Sequence, residues 1–319
     1  MRNLWRNACV AATAALLVTS GASRGLGQTR ALTPLTAVVP TTAETLPFFY
    51  AMQQGMFEKA GLSITITSAS SGSMATAAVA GNTAQIGSSN VLSEIQAHAK
   101  GIPIVLLAPA GQYEVANPNN EIFVTAASPI KTPKDLEGRT MAVASLHDLL
   151  ALSTHAWLDK EGVDASKIRF VELAPAEQVA ALLSGRVDVI HVYEPFRGAA
   201  ERAGARVLVA PYSAIGRDFI FSVWFANATW ANEHREAALA FARVMHDATL
   251  YTNAHYDELL PLVSSYTKMS LDALKSTRRV RVATSLQASQ IQPVIEAAAK
   301  YHEIAAGFPA QEMILPGAP

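Results

Sequence analysis

Ala180-Ala181-Leu182-Leu183-Ser184-Gly185-Arg186-Val187-Asp188-Val189 reads as a helix end running through a turn into a short strand, and it echoes Ala78-Val79-Ala80-Gly81-Asn82-Thr83-Ala84-Gln85-Ile86 earlier in the chain. Gly185 and Asn82 occupy the helix-end position, where a left-handed backbone costs glycine nothing and asparagine little. A repeated helix-to-strand unit implies two lobes of similar topology. Working outward, residues 35–39 read as a β-branched strand, 40–47 as a turn-rich loop opening a helix to about residue 54, and 63–67 as an alternating strand. Residues 70–73 read as a flexible loop, 74–80 as a helix and 85–87 as a short strand. The pattern restarts with strands at 121–125 and 141–144, a helix at 149–160 and a strand at 168–172. Strands alternating with helices at this spacing predict α/β lobes, each a doubly wound, mainly parallel sheet. Beyond a strand at 207–210 the chain is helical and amphipathic, at 233–252, 257–263, 271–276 and 285–301.

Arg2 and Arg6 precede an apolar run from Ala8 to Val18, followed by the small residues Ser20-Gly21-Ala22. That order predicts a secretory signal peptide within residues 1–29, with cleavage left open between 22 and 29. The run falls well short of the roughly twenty residues that span a bilayer, so no permanent membrane anchor is expected. Cys9, the one cysteine of the 319 residues, lies inside it. An exported chain without cysteine has no disulfide, thiolate nucleophile or thiolate metal site, and its stability must come from its core. Half the chain is apolar and 16% is charged, at a net charge of -1. No broad field is offered to nucleic acid or acidic membrane. The one Gly-x-Ser-x-Gly pattern, Gly21-Ala22-Ser23-Arg24-Gly25, falls inside the expected signal segment and follows no strand, no His-Glu-x-x-His motif occurs, and His98, His155, His191, His234, His246, His255 and His302 show no metal spacing. The expectation is a protein that is not an enzyme and carries no metal or cofactor.

Four segments, in order, resemble the substrate-binding proteins of ABC importers for nitrate, sulfonates, taurine and thiamine precursors, the NMT1/THI5-like or SsuA-like group. They are Pro47-Phe48-Phe49-Tyr50-Ala51 with Gly55-Met56-Phe57-Glu58-Lys59-Ala60-Gly61-Leu62; the stretch from Ser128-Pro129-Ile130-Lys131 through Gly138 to Val143; Leu183-Ser184-Gly185-Arg186-Val187-Asp188-Val189; and Tyr193-Glu194-Pro195-Phe196. Asn82, Gln85 and Tyr193 depart from the Gly, Asp and Trp common in the family. The resemblance implies a two-lobed type 2 periplasmic-binding-protein fold, with residues 33–109 plus 211–319 in lobe 1, residues 110–210 in lobe 2, and two hinge strands near 108–112 and 209–213. It implies a periplasmic monomer that captures a small organic solute of sulfonate, carboxylate or heterocycle type in the cleft and delivers it to a dimeric permease with its ATPase. Two alternatives remain: a binding protein feeding a membrane sensor, and a pyrimidine-precursor synthase, which conflicts with the export signal.

Ligands of open α/β sheets sit beyond the carboxyl ends of the strands, which singles out the loops there. Thr41, Thr42 and Glu44 offer hydroxyls and an acceptor, although either threonine serves equally as a helix cap. Ser71, Gly72 and Ser73 allow close backbone approach at a helix start that favours an anion, and Ser88, Ser89 and Asn90 repeat that chemistry. From the second lobe come Ser145, His147 and Asp148, read as a polar clamp or as a cap, together with Tyr193 for stacking and Glu194, which reads more readily as structural. Trp224 is either an apolar wall or core. Helix starts suit an anion and the two glutamates a cation or a donor-rich heterocycle, so the ligand's charge stays open.

Overall fold

The computed structural model describes residues 31–68 and 72–319. The expected signal segment and Ser71 lie outside the described residues. The chain runs β1 (Thr33–Val39), α1 (Leu46–Gln53), α2 (Met56–Lys59), β2 (Leu62–Ser68), α3 (Gly72–Ala80), β3 (Ile86–Asn90), α4 (Val91–Ala99) and β4 (Ile104–Pro109). It crosses through β5 (Gly111–Glu114) into β6 (Asn120–Val124), β7 (Thr140–Val143), α5 (Leu149–Lys160), β8 (Arg169–Glu172), α6 (Pro175–Leu183), β9 (Val189–Tyr193), α7 (Phe196–Arg202) and β10 (Arg206–Val209). It returns through β11 (Asp218–Ile220) into β12 (Ser222–Asn227), α8 (Ala228–Glu233), α9 (Arg235–Ala254), α10 (Leu260–Thr267), α11 (Leu271–Ser276), β13 (Arg281–Val282) and α12 (Gln292–Lys300).

Two five-stranded sheets result, ordered β2-β1-β3-β12-β4 and β8-β7-β9-β6-β10. In each, one strand runs against the other four: β12 in the first and β6 in the second. Each reversed strand is the one the chain enters directly after crossing between sheets, so the two share a strand order as well as a winding. The repeated unit is the reason. In both copies the strand begins six residues after the last helical residue, Ala80 to Ile86 and Leu183 to Val189, and the left-handed position falls two residues past the helix, at Asn82 (φ 56°) and Gly185 (φ 73°).

The crossing segments pair with each other. β5 and β11 are antiparallel, and β13 adds to the other edge of β5. The return strand is Asp218–Ile220 rather than the segment near 209–213, because Pro211–Ala214 coils into a 3-10 turn against α5. The last helix starts at Gln292 instead of 285, with Pro293 in its first turn, where the missing N–H costs nothing. The short strand expected at 85–87 runs on to Asn90, since β12 pairs along its length, Ser88 opposite Trp224 and Ser89 opposite Val223.

One side of the first sheet packs Phe48, Phe57, Trp224 and Phe241 into an aromatic core, with Phe48 stacked on Trp224 at 4.9 Å. Gly87 serves the other side. Its cross-strand partner is Phe225, and a Cβ at Gly87 would stand 2.4 Å from that ring. Gly87→Ala is therefore expected to cost about 1–3 kcal/mol of stability through overpacking, measured as a lower guanidinium midpoint at unchanged slope. An unchanged midpoint would mean that the ring yields freely.

Candidate functional site

The loops that end β1, β7 and β9, the end of β3 and the turn before β11 position the candidate residues. After β1, Thr41 is exposed and neither it nor Thr42 caps the short helical turn that follows. Thr42 Oγ1 is instead buried without a hydrogen-bond partner, and burial pushes the carboxyl of the partly buried Glu44 above the usual carboxylate range. At the end of β3, Ser88 and Ser89 are buried, and Ser89 Oγ also lacks a partner. Asn90 is committed to the backbone: its Oδ1 accepts from the Ser93 amide at 3.1 Å and caps α4. Gly72 opens α3 against this strand, and any Cβ there would sit 2.3 Å from Ser89 Oγ. Ser73, beside it, is exposed.

The proposed His147 and Asp148 clamp separates. His147 turns outward, its side chain 78% exposed, with Nδ1 3.3 Å from Glu303 beyond α12. Asp148 turns inward and caps α5, accepting from the Ala151 amide at 2.8 Å, and burial pushes its pKa up to about 6. Ser145, partly buried two residues before His147, accepts the His147 amide at 3.4 Å. Tyr193 ends β9, and burial, then the carboxyls of Glu44 and Asp148, push its phenol up to about 12. Glu194 turns away from these groups into an ionic network. It binds Arg197 Nε and accepts the Arg278 amide at 3.0 Å, which is the structural role its sequence context favoured. Trp224 is wholly buried in the aromatic core. It forms no wall, because β12 lies between β3 and β4 and carries that side chain into the packing with Phe48 and Phe241.

Sequence reasoning missed three tyrosines. Tyr212, in the turn before β11, is buried, and its phenol is pushed well above its ordinary range, first by burial and then by Asp148, Tyr193, Glu44 and Tyr113. Tyr266 on α10 stacks on Phe49 at 4.1 Å; its buried hydroxyl lacks a partner, and burial and then Glu44 raise its pKa. Tyr113 on β5 meets Tyr212 edge to face at 5.4 Å, its hydroxyl also buried and unpartnered. A tyrosine beside a crossing strand carries no motif, and α10 is remote in sequence from every strand-end loop. The only available signal was the proximity of Tyr212 to the expected second crossing.

Glu44 from the first sheet and Asp148 and Tyr193 from the second thus all act electrostatically on the phenol of Tyr212 at the crossing. None of the main influences on these four groups, or on Tyr266, is a lysine or arginine. The surroundings can accept N–H donors through two carboxyls and give or take hydrogen bonds through several hydroxyls. Bonds also bridge the elements flanking the two sheets. Lys300 Nζ and Tyr301 Oη reach Asp159 Oδ2 at 2.7 and 2.8 Å, while on another flank Arg278 Nη1 reaches Glu121 Oε1 at 2.9 Å and Arg202 Nη1 reaches Ser276 Oγ at 2.7 Å. Among the described residues no cluster of three or more His, Cys, Asp or Glu is placed to hold a metal, and no helix is long and apolar enough to cross a membrane.

Residues 42–259 match the family described as NMT1/THI5 like. The chain belongs to the NMT1/THI5-like family. The taurine-binding periplasmic protein of Escherichia coli (strain K12) is 26% identical over 219 residues, which cover 67% of this chain and 65% of that protein, just under two thirds of its length. The periplasmic aliphatic sulphonate binding protein SsuA from Escherichia coli superposes with a TM-score of 0.73 at 18% identity, over 88% of this chain and 92% of that one. The desulfurization enzyme DSZB superposes with a TM-score of 0.68 at 16% identity, over 89% of this chain and 96% of that one. At such identities the likeness establishes the two-lobed periplasmic-binding-protein fold and leaves activity to be argued from the site, since the fold carries both binding proteins and an enzyme.

Proposed function

We propose that this NMT1/THI5-like protein is the extracytoplasmic solute-binding component of an ABC importer. On this reading residues 1–29 direct export and are removed. The remaining chain works in the periplasm as a monomer without catalysis, and its partners are the solute and a dimeric permease with its ATPase. Residues 33–109 plus 211–319 form one lobe and 110–210 the other. The solute is held between them, and closure turns on the paired β5 and β11. One observation carries the reading: Glu44, on a loop of the first sheet, and Asp148 and Tyr193, on the second, act on the same buried tyrosine, Tyr212. The unpartnered hydroxyls of Thr42, Ser89, Tyr113 and Tyr266 add to it, because a buried polar group without a partner costs free energy that a ligand's hydrogen bonds offset. Closing a two-state protein from 1:99 to 99:1 takes about 5.5 kcal/mol of differential affinity, within reach of a few such bonds and the flanking contacts of Lys300 and Arg278.

Of sulfonates, carboxylates and heterocycles, the cleft suits the last best. Two carboxyls whose pKa values are raised chiefly by burial, with no lysine or arginine among the main influences on them, disfavour an anion and favour an amino-bearing ring that donates to Glu44 and packs on Tyr193. A thermal-shift screen of taurine, alkanesulfonates, aromatic carboxylates and aminopyrimidines tests this. A ligand at 100 times its Kd adds about 2.7 kcal/mol of stability, and an aminopyrimidine is expected to raise the midpoint without being turned over. Tyr193→Ala and Glu44→Gln should each weaken that binding about tenfold, the worth of one hydrogen bond or packed ring. Saturable binding of a sulfonate, left intact or improved by Glu44→Gln, would refute the ligand class while leaving the receptor role. Turnover of any panel member would refute that role and favour the chemistry for which DSZB is named.

A further inference from the structure

Beneath the Ser89 end of the cleft lies a carboxyl that meets no cation. Glu94 of α4 is wholly buried, with Oε1 2.7 Å from Thr76 Oγ1 on α3 and Oε2 without a hydrogen-bond partner. Burial lifts its pKa to about 8, against the opposing pull of the Thr76 and Ser89 hydroxyls. The elements packed on α4 bring it no countercharge. α3, β3 and β4 contain no ionisable side chain. α12 brings an exposed Glu296 and Lys300, which binds Asp159; Glu303 beyond it is taken by Gln96 and His147, and His98 of α4 itself faces Glu312.

Thr76 decides the matter by counting hydrogens. Its hydroxyl stands 2.7 Å from Glu94 Oε1 and 3.1 Å from the Gly72 carbonyl oxygen, and it has one hydrogen for the two. Beside an ionised Glu94 both neighbours would be acceptors, and one contact would go unbonded in a buried site. Beside a neutral Glu94 both are made: Oε1–H donates to Thr76 and Thr76 donates to Gly72. We propose that Glu94 is a neutral acid at neutral pH and a positioning residue, whose proton acts through Thr76 to fix the Gly72 end of α3 against Ser89. On ionisation the Thr76 hydrogen turns to the carboxylate, the Gly72 carbonyl is left with the Thr76 amide alone, and the first turn of α3 loosens. The consequence for binding rests on the proposed ligand cleft, whereas the proton chain belongs to the free protein.

The free protein is therefore tested first, by NMR of protein carrying 13C at the glutamate carboxyls, with Glu94→Gln providing the assignment. One carboxyl should titrate near pH 8 and vanish in the variant. Protection of the Thr76 amide, which the Gly72 carbonyl accepts in α3, corrected for intrinsic exchange, should fall about tenfold between pH 7 and pH 9 in the wild type, the worth of one hydrogen bond. It should stay level in Glu94→Gln, which keeps a neutral donor toward Thr76. Titration of Glu94 in the ordinary carboxylate range, or the same α3 response in both proteins, overturns the proposal. Calorimetry with 2-aminopyrimidine at the same two pH values should show a tenfold loss of affinity in the wild type alone. If 2-aminopyrimidine binds neither protein while α3 responds as expected, the proton chain stands and the ligand assignment of the cleft falls.

Discussion

Arg197→Ala is expected to remove about 3–5 kcal/mol of folding stability, the usual cost of leaving buried charge uncompensated. The guanidinium on α7 is 1% exposed and answers three carboxylates: Nε binds Glu194 Oε1, Nη1 binds Glu121 Oε2 at 3.1 Å and Nη2 binds Glu201 Oε2 at 2.9 Å. Glu201 is half exposed and water can take it over, but Glu121 and Glu194 are buried. Once Arg197 is gone, those two share only Arg278, which reaches them from the segment before β13. The desolvation already incurred by both glutamates is then poorly offset. Arg197→Lys keeps the charge and loses the planar fork that reaches three partners, so its deficit should be intermediate. Urea unfolding of the three proteins measures the order. An Arg197→Ala midpoint equal to wild type would mean that water enters and solvates the network. Because Arg278 spans the two sheets through the same carboxylates, the substitution should also weaken the contact between their flanking elements.

The fold was legible because it is written in local, repeated signals. A helix that ends two residues before Asn82 or Gly185 and hands over to a strand six residues past its end needs no tertiary information to be recognised. The same holds for Asn90 and Asp148 as caps, since a side-chain oxygen satisfying a helix's first amides is a property of the chain itself. The site was legible only where a strand end dictates it. That rule singled out Thr42, Glu44, Ser89, Asp148 and Tyr193, and in the structure Glu44, Asp148 and Tyr193 all raise the phenol of Tyr212. Which way a side chain turns was not readable. His147 and Asp148 are adjacent and face opposite environments, because the helix cap takes one and Glu303 draws the other. Trp224 shows the converse: an aromatic in a strand is equally a wall or a core until the neighbouring strands are known, and β3 and β4 on its two sides decide for core. Tyr212 and Tyr266 reach the group through the return crossing and a helix far along the chain. Such contacts are set by how the lobes pack, which no short window of sequence encodes.

Raising the pH should destabilise the wild-type protein relative to Glu94→Gln by an amount on the order of 5 kcal/mol, from about 1.36 kcal/mol for each pH unit between the two states' pKa values. The sign follows from where the proton is held more tightly. Unfolded, the Glu94 carboxyl titrates near 4.5; folded, burial raises it to about 8. Its contribution is therefore fully present below the unfolded value and is lost as pH rises through that window, levelling off above it. Two other buried groups act in the same experiment. His191, whose pKa burial lowers to about 3, contributes stability that is lost as pH falls below its unfolded value of 6.5. Asp148, raised to about 6, loses its contribution as pH rises from 3.8 toward 6. Both are unchanged by the substitution, so the difference between the two proteins at each pH isolates Glu94. Urea midpoints at pH 5, 7 and 9 should show the wild type matching or exceeding the variant at the acid end, then falling behind it by pH 9. Parallel curves would mean that Glu94 is already ionised in the folded protein and that its charge is solvated by water reaching Oε2.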